Sequence, residues 1–339
     1  MVEKLVEQSV EQMVGRIEVA LLDRVRQSTS VLLTGPEGPD GDSIGACIAL
    51  QRLLEVTAPG VRVDVAGVPG HRYGWLPGAA AMVPDTAVGA YDGVVVLDGD
   101  KTRLCPEVTR AFAGARWTGI IDHHRSTDLG GYDVAYFDPT AESTCGMVSA
   151  LAKAWAVPLD ADLATLLYVG IIFDTGGFRY SNTAASTHRL AAELLETGID
   201  HARIMLKVLV ERRPAALRLM ARLLQEATFP ANGRLAMTTC TLAMMREVGA
   251  NDGDLEGVVD MLQHTEGVDL AVVIVERAPT RVKLSLRSSG RVDVAALARS
   301  LDAGGGGHAK AAGVVLQAPV AEVVTRLTAL LVPQLTALP

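Results

Sequence analysis

Apolar residues along this chain gather into short unbroken runs separated by stretches of helical period, the alternation expected of a parallel sheet with helices on its faces. Ser28 to Thr34, Val61 to Ala66, Val94 to Leu97, Thr118 to Ile121 and Tyr132 to Phe137 read as strands. Ser43 to Leu54, the run from Ser143 to Trp155, Asp162 to Phe173 and Thr183 to Thr197 read as helices, and Gly67 to Pro84 as a breaker-rich loop. Residues 1–27 space Leu5, Val6, Val10, Met13 and Ile17 among Glu, Lys and Arg, which predicts an amphipathic helix and not a signal peptide. Ile199 to Ala227 reads as a long helix, charged on one face and without ligand-type clusters. It serves as the expected helical connection, 199–230, between a first domain at 1–198 and a second at 231–339. Beyond it the pattern changes to separated strands, Leu235 to Leu242, Leu270 to Glu276 and Arg281 to Arg287, with helices at Asp254 to Leu262 and Val292 to Arg299. This predicts a smaller α+β layer with helices on one face.

The 339 residues suffice for two ordinary domains. A net charge of −8 and a pI near 5.4 argue against a protein that coats long duplex nucleic acid, though local cations suffice for a short phosphate-bearing ligand. Four dispersed cysteines without a CxxC pair fit a reducing cytoplasm. The longest apolar run, near Leu163 to Phe173, is too short to span a bilayer, so no membrane partner is expected and the positive mean hydropathy reflects buried sheet.

The chemistry lies at the ends of the apolar runs. Val31 to Leu33 leads through a turn to Pro39-Asp40-Gly41-Asp42; Val94 to Leu97 ends on Asp98; Ile120-Ile121 runs into Asp122-His123-His124; Tyr168 to Phe173 ends on Asp174. In open α/β sheets ligands sit at strand C-termini. Five Asp and two His delivered there match a hard-cation site, carboxylates with imidazole suiting Mn²⁺ or Mg²⁺. Asp98 is the candidate bridging ligand, whereas Asp100 reads as a turn residue and Ser143 as an N-cap. Asp40 and Asp42 also suit plain helix capping. The twin glycines Gly176-Gly177 fit either a helix C-cap or a close backbone approach to a ligand. In the second domain, Gly304-Gly305-Gly306-Gly307-His308 followed by Ala311-Ala312-Gly313 is expected to bring backbone N–H groups against an anion.

In this order the motifs resemble the DHH phosphoesterases, in the branch with a DHH-associated C-terminal domain that includes bacterial nanoRNase and pAp phosphatases. The resemblance covers almost the whole chain after residue 28. It implies a parallel-sheet DHH domain, a helical linker and a smaller substrate-binding domain, with the active site in the cleft between them. It further implies two divalent ions, Mn²⁺ foremost, on Asp40, Asp42, Asp98, His123 and Asp174, with Asp98 and Asp174 touching both. Two cations roughly 3.5–4 Å apart would activate water and neutralise the leaving oxygen. By the same resemblance His124 lies beside the scissile phosphate and Asp122 orients an imidazole. Arg287, Ser285, Gly305, Gly306, Gly307 and His308 contact the nucleotide, and a homodimer is admitted. One position departs from the family pattern: Pro36 stands where the family places a His ligand, which leaves open Glu37 as a substitute, a water in that position, or a weakened metal site. The implied substrates are short oligoribonucleotides, linear dinucleotides and pAp. Direct hydrolysis of cyclic dinucleotides stays open, as does a nucleotide-binding regulatory protein with a partly degenerate metal site.

Overall fold

A computed structural model describes residues 19–337, and its contacts divide the chain into two units, Met1–Glu211 and Arg212–Pro339. Most of the helix expected at 1–27 lies outside the described residues; 19–26 are helical and bury Leu21 and Val25.

In the first unit, β1 (Ser30–Thr34), β2 (Arg62–Val65), β3 (Gly93–Leu97), β4 (Trp117–Asp122) and β5 (Val134–Phe137) form an all-parallel sheet in the order β2-β1-β3-β4-β5. The helices are α1 (Gly41–Thr57), α2 (Pro106–Gly114), α3 (Thr144–Ala154), α4 (Ala161–Asp174) and α5 (Ala185–Glu196). Leu33, Val95 and Ile121 pack into the large core with α1, α3 and α4, while Leu32 and Val94 face a smaller core with Val108 and Ala111 of α2. Both sheet faces are therefore covered, which is why these strands read as unbroken apolar runs. Each such fully buried side chain contributes about 1.5–3 kcal/mol. The strand order reverses beside β1, with β2 on one side and β3 on the other, and the C-terminal edge at such a switch point opens a crevice.

The expected loop at Gly67 to Pro84 is folded onto the core: Gly70–Tyr73 is a helical turn, Tyr73 and Leu76 are buried, and Val83 bridges Ala66. The long helix expected over Ile199 to Ala227 is broken. A turn at His201–Met205 runs into a wider turn at Leu206–Val210, and α6 (Pro214–Gln225) starts afresh. Pro214 occupies the first helical position and Arg213 before it is extended, the steric consequence of a following proline.

The second unit carries β6 (Leu235–Cys240), α7 (Leu242–Val248), α8 (Val258–Gln263), β7 (Leu270–Ala278), β8 (Arg281–Ser288), α9 (Val294–Leu301), β9 (Gly306–His308), β10 (Ala311–Leu316) and α10 (Val320–Thr336). Its sheet runs β6-β7-β8-β10-β9, parallel between β6 and β7 and antiparallel elsewhere. Helices cover both faces, correcting the one-face expectation. Leu270, Val272 and Ile274 pack with α9 and α10, while Ala271, Val273 and Val275 pack with α6, α7 and α8. The helix expected at Asp254 to Leu262 is interrupted by Gly257 at φ 84°, so α8 begins only at Val258.

Candidate functional site

Three adjacent strands and two helices deliver the predicted residues to one place. The loop after β1 ends on Asp40, the N-cap of α1, whose carboxylate accepts N–H bonds from Asp42 (3.0 Å) and Ser43 (3.1 Å). Asp42 lies in the first turn, fully buried. Its two oxygens accept the amides of Thr144 (2.6 Å) and Cys145 (2.8 Å) at the start of α3. Room for this buried carboxylate comes from Gly170 of α4: a Cβ there would sit 2.3 Å from both Asp42 Oδ1 and Cys145 Sγ. Asp98 follows β3 with φ 62°, a left-handed conformation that Asp and Asn adopt more readily than most residues. Thr144 Oγ1 donates to its Oδ1 at 3.3 Å.

Asp122 is the last residue of β4, and His123 and His124 follow it out of the sheet. Asp122 Oδ1 accepts from the His123 and His124 amides at 2.8 and 3.2 Å, and lies 2.7 Å from His124 Nδ1; Thr127 Oγ1 donates to Oδ2. Burial pushes the Asp122 carboxyl upward, but these bonds, those of His124 first, hold it below the usual range. A fixed anion thus orients the His124 ring.

His123 turns the other way. Its Nδ1 lies 3.1 Å from the Ala141 carbonyl, the contact that places a proton on Nδ1 and so makes Nε2 the nitrogen that can turn a lone pair to a cation once its own proton is displaced. Nε2 is buried, without a hydrogen bond of proper geometry, 3.0 Å from Asp174 Oδ2 and 3.6 Å from Asp98 Oδ1. Asp42, Asp98, His123 and Asp174 present ligand atoms within 4.8 Å of one another, and Asp98, His123 and His124 form a second such group. Asp40 belongs to neither group but stands close enough to raise Asp98 and Asp174 electrostatically. Among the described residues Pro36 and Glu37 belong to neither as well; the Glu37 amide bonds the Arg103 carbonyl, and its side chain is exposed.

The electrostatics are those of a nest built for a cation. Burial, then the neighbouring carboxylates, pushes Asp98 well up and Asp174 to about 7. Burial opposes charge on His123, yet Asp174 and Asp98 outweigh it and push the imidazole up to about 12. Converging carboxylates repel one another, and without a cation the His123 imidazole must carry a buried proton to offset them. A divalent ion removes both costs, and carboxylate oxygens with one imidazole suit a hard cation. The residues present therefore fit a metal.

Several contributors escaped the sequence reading. Thr144 and Cys145 clamp Asp42, the Ala141 carbonyl sets the His123 tautomer, and Asn182 Nδ2 ties the Glu142 carbonyl (2.9 Å) to that of Asp174 (3.1 Å). None forms a local motif, although the Ser143 cap, confirmed by its bond from the Gly146 amide, marks the helix start that supplies the clamp. Asp100 is the expected turn residue, accepting from the Thr102 amide. The twin glycines act in packing: side chains there would strike the Tyr180 ring and Leu209, and the Gly176 and Gly177 amides are spent on the C-cap of α4.

In the second unit, β8, β10 and β9 align Arg287 with Ala311 and Ala311 with His308, and likewise Ser285 with Gly313 and Gly313 with Gly306. Paired residues share a sheet face. Beyond the part covered by α8, that face is lined by small side chains between Arg287 and His308. The glycines of the loop differ in use. A Cβ at Gly305 would strike the Ala298 carbonyl and one at Gly307 the β10 backbone, whereas Gly306 faces open space. The amides of Gly304 and Gly305 already bond Asp302.

Residues 30–171 match the DHH family, N-terminal domain, and residues 235–333 match the DHHA1 domain. The chain is 32% identical over 279 residues to the bifunctional oligoribonuclease and PAP phosphatase NrnA of Thermus thermophilus, covering 82% of each. The chain belongs to the DHH family. As a DHH protein it is a metal-dependent phosphoesterase. It is also 26% identical to the cyclic-di-AMP phosphodiesterase GdpP of Geobacillus thermodenitrificans, over 86% of this chain but 45% of that protein. The crystal structure of an exopolyphosphatase-related protein from Bacteroides fragilis shares the DHH fold, with a TM-score of 0.83 and 24% identity, covering 94% of this chain and 97% of that one.

Proposed function

We propose that this phosphoesterase cleaves short oligoribonucleotides and linear dinucleotides such as pApA, and dephosphorylates pAp, in the cytoplasm with two divalent ions, Mn²⁺ foremost. The observation that carries the reading is the convergence of Asp42, Asp98, His123 Nε2 and Asp174 within 4.8 Å. Asp40 completes the proposed ligand set from the N-cap of α1. When bound, the ions supply phosphate charge neutralisation and a water acidic enough to attack near neutral pH. The protein's own part is orientation. Asp122 holds the half-exposed His124 ring at the edge of the nest, where it meets a phosphate oxygen. In the second unit, Arg287, Ser285, His308 and the loop Gly305-Gly306-Gly307 hold the nucleotide, Gly306 offering the open face and Gly305 and Gly307 setting the loop's path, and the small residues between Arg287 and His308 let it approach the sheet.

The acidic chain suits short substrates held by a few local cations. Cytoplasmic placement is supported by four cysteines that are free and buried. No helix among the described residues is long and apolar enough to cross a membrane. The near full-length likeness to the oligoribonuclease, against half of the cyclic-di-AMP enzyme, favours linear substrates. Incubating purified protein and Mn²⁺ with pAp, pApA, cyclic di-AMP and a short RNA ladder tests this. Linear substrates and pAp are expected to turn over fastest; turnover of cyclic di-AMP alone, or of none, contradicts the proposal.

A further inference from the structure

Arg287 is not a loose cation. Its Nε donates to Asp260 Oδ1 at 2.8 Å and its Nη1 to the Leu286 carbonyl at 3.2 Å. Asp260 comes from α8, the short helix that covers the Ala271 side of the sheet, and the register places Arg287 directly beside Ala271 on that same face. Asp260 therefore stands at the border where the covered part of the sheet gives way to the small-residue strip of Ser285, Ala311 and Gly313. The pair is about one-third exposed on both sides, and an ion pair so exposed adds little to stability. Its consequence is geometric. A guanidinium is planar with donors in a fixed fork, so an acceptor on Nε fixes the plane. With Nε and one Nη1 proton taken, Nη2 makes no hydrogen bond among the described residues: its inner N–H runs parallel to Nε–H on the Asp260 side, and its outer N–H with the second Nη1 proton forms the free end of the fork.

We propose that Asp260 is a positioning residue for substrate binding: it locks the Arg287 plane so that the guanidinium presents its Nη end to a substrate phosphate. The inference rests on the reading of Arg287 as a substrate contact. A preset fork forms its phosphate bonds without the side-chain ordering cost that a free arginine carries. Asp260 does not touch substrate, and it leaves turnover of bound substrate unchanged.

The test measures KM and kcat separately for pAp and pApA with Mn²⁺, in Asp260→Ala, Asp260→Glu, Arg287→Ala and the double variant Asp260→Ala with Arg287→Ala. Asp260→Ala is expected to raise KM about five- to tenfold, the scale of one oriented charge-assisted hydrogen bond, with kcat held, and Asp260→Glu to recover most of the loss. In the Arg287→Ala background, removing Asp260 is expected to change nothing further. An unchanged KM in Asp260→Ala overturns the proposal. So does an equal KM penalty with and without Arg287, or a kcat loss that tracks a lowered Tm, since either marks Asp260 as structural. An Arg287→Ala variant with normal KM instead overturns the reading of Arg287 itself, and the inference with it.

Discussion

Asp98→Asn is expected to lower metal-dependent turnover by at least about 100-fold, because even partners outside the ligand set cost 10–100-fold when lost and Asp98 sits in both ligand groups. The substitution is nearly isosteric, and Asn tolerates the φ of 62° that Asp98 adopts, so the backbone has no reason to move. It also removes a carboxylate that burial and Asp40 already make hard to ionise. The metal-free variant should therefore melt no lower than the metal-free wild type while losing its response to added Mn²⁺. Steady-state rates together with melting curves with and without metal check this. A variant that keeps full activity removes Asp98 from the site, and one that unfolds shows Asp98 to be a structural residue.

Saturating Mn²⁺ is expected to raise the wild-type Tm by about 5–10 °C at a hundred times its Kd, where ligand linkage contributes about 2.7 kcal/mol. Chelator should reverse the shift. The cause lies in the nest: without a cation, protons are the only charges that relieve Asp98 and Asp174, and His123 retains one among them. A bound ion displaces those protons, so affinity rises with pH, most steeply below the Asp174 value of about 7, where that carboxyl still holds its proton. The Mn²⁺-induced shift should accordingly be smaller at pH 6 than at pH 8. Differential scanning fluorimetry across that range checks both magnitude and sign, and a shift that grows on acidification contradicts the assignment.

The sheet of the first unit was legible because burial on both faces leaves unbroken apolar strands, and the acids at their ends stand out against that background. The break before α6 was written in Pro214, yet the helical period on either side masked it. The helix α10 went unread, although Val323, Leu327, Leu331 and Leu335 recur at helical spacing and all four are buried. What periodicity cannot show is which distant backbone meets a buried group. Asp42 is clamped by amides more than a hundred residues away and given space by the absent side chain of Gly170, while Asp260 meets Arg287 only once α8 and β8 pack. The glycines were the least readable. Gly176, Gly177, Gly305 and Gly307 serve close packing inside the protein, and only Gly306 of the 304–307 loop both lies on the open strip and faces empty space.

The central claim is that carboxylates and an imidazole from separate elements hold a cation together, and the most direct measurement is an anomalous difference map at the manganese edge from crystals soaked in Mn²⁺. The account predicts a peak at coordination distance from His123 Nε2 and from carboxylate oxygens of Asp98 and Asp174. Fully ordered side chains at these positions with no peak among them, or a peak only elsewhere, would contradict it.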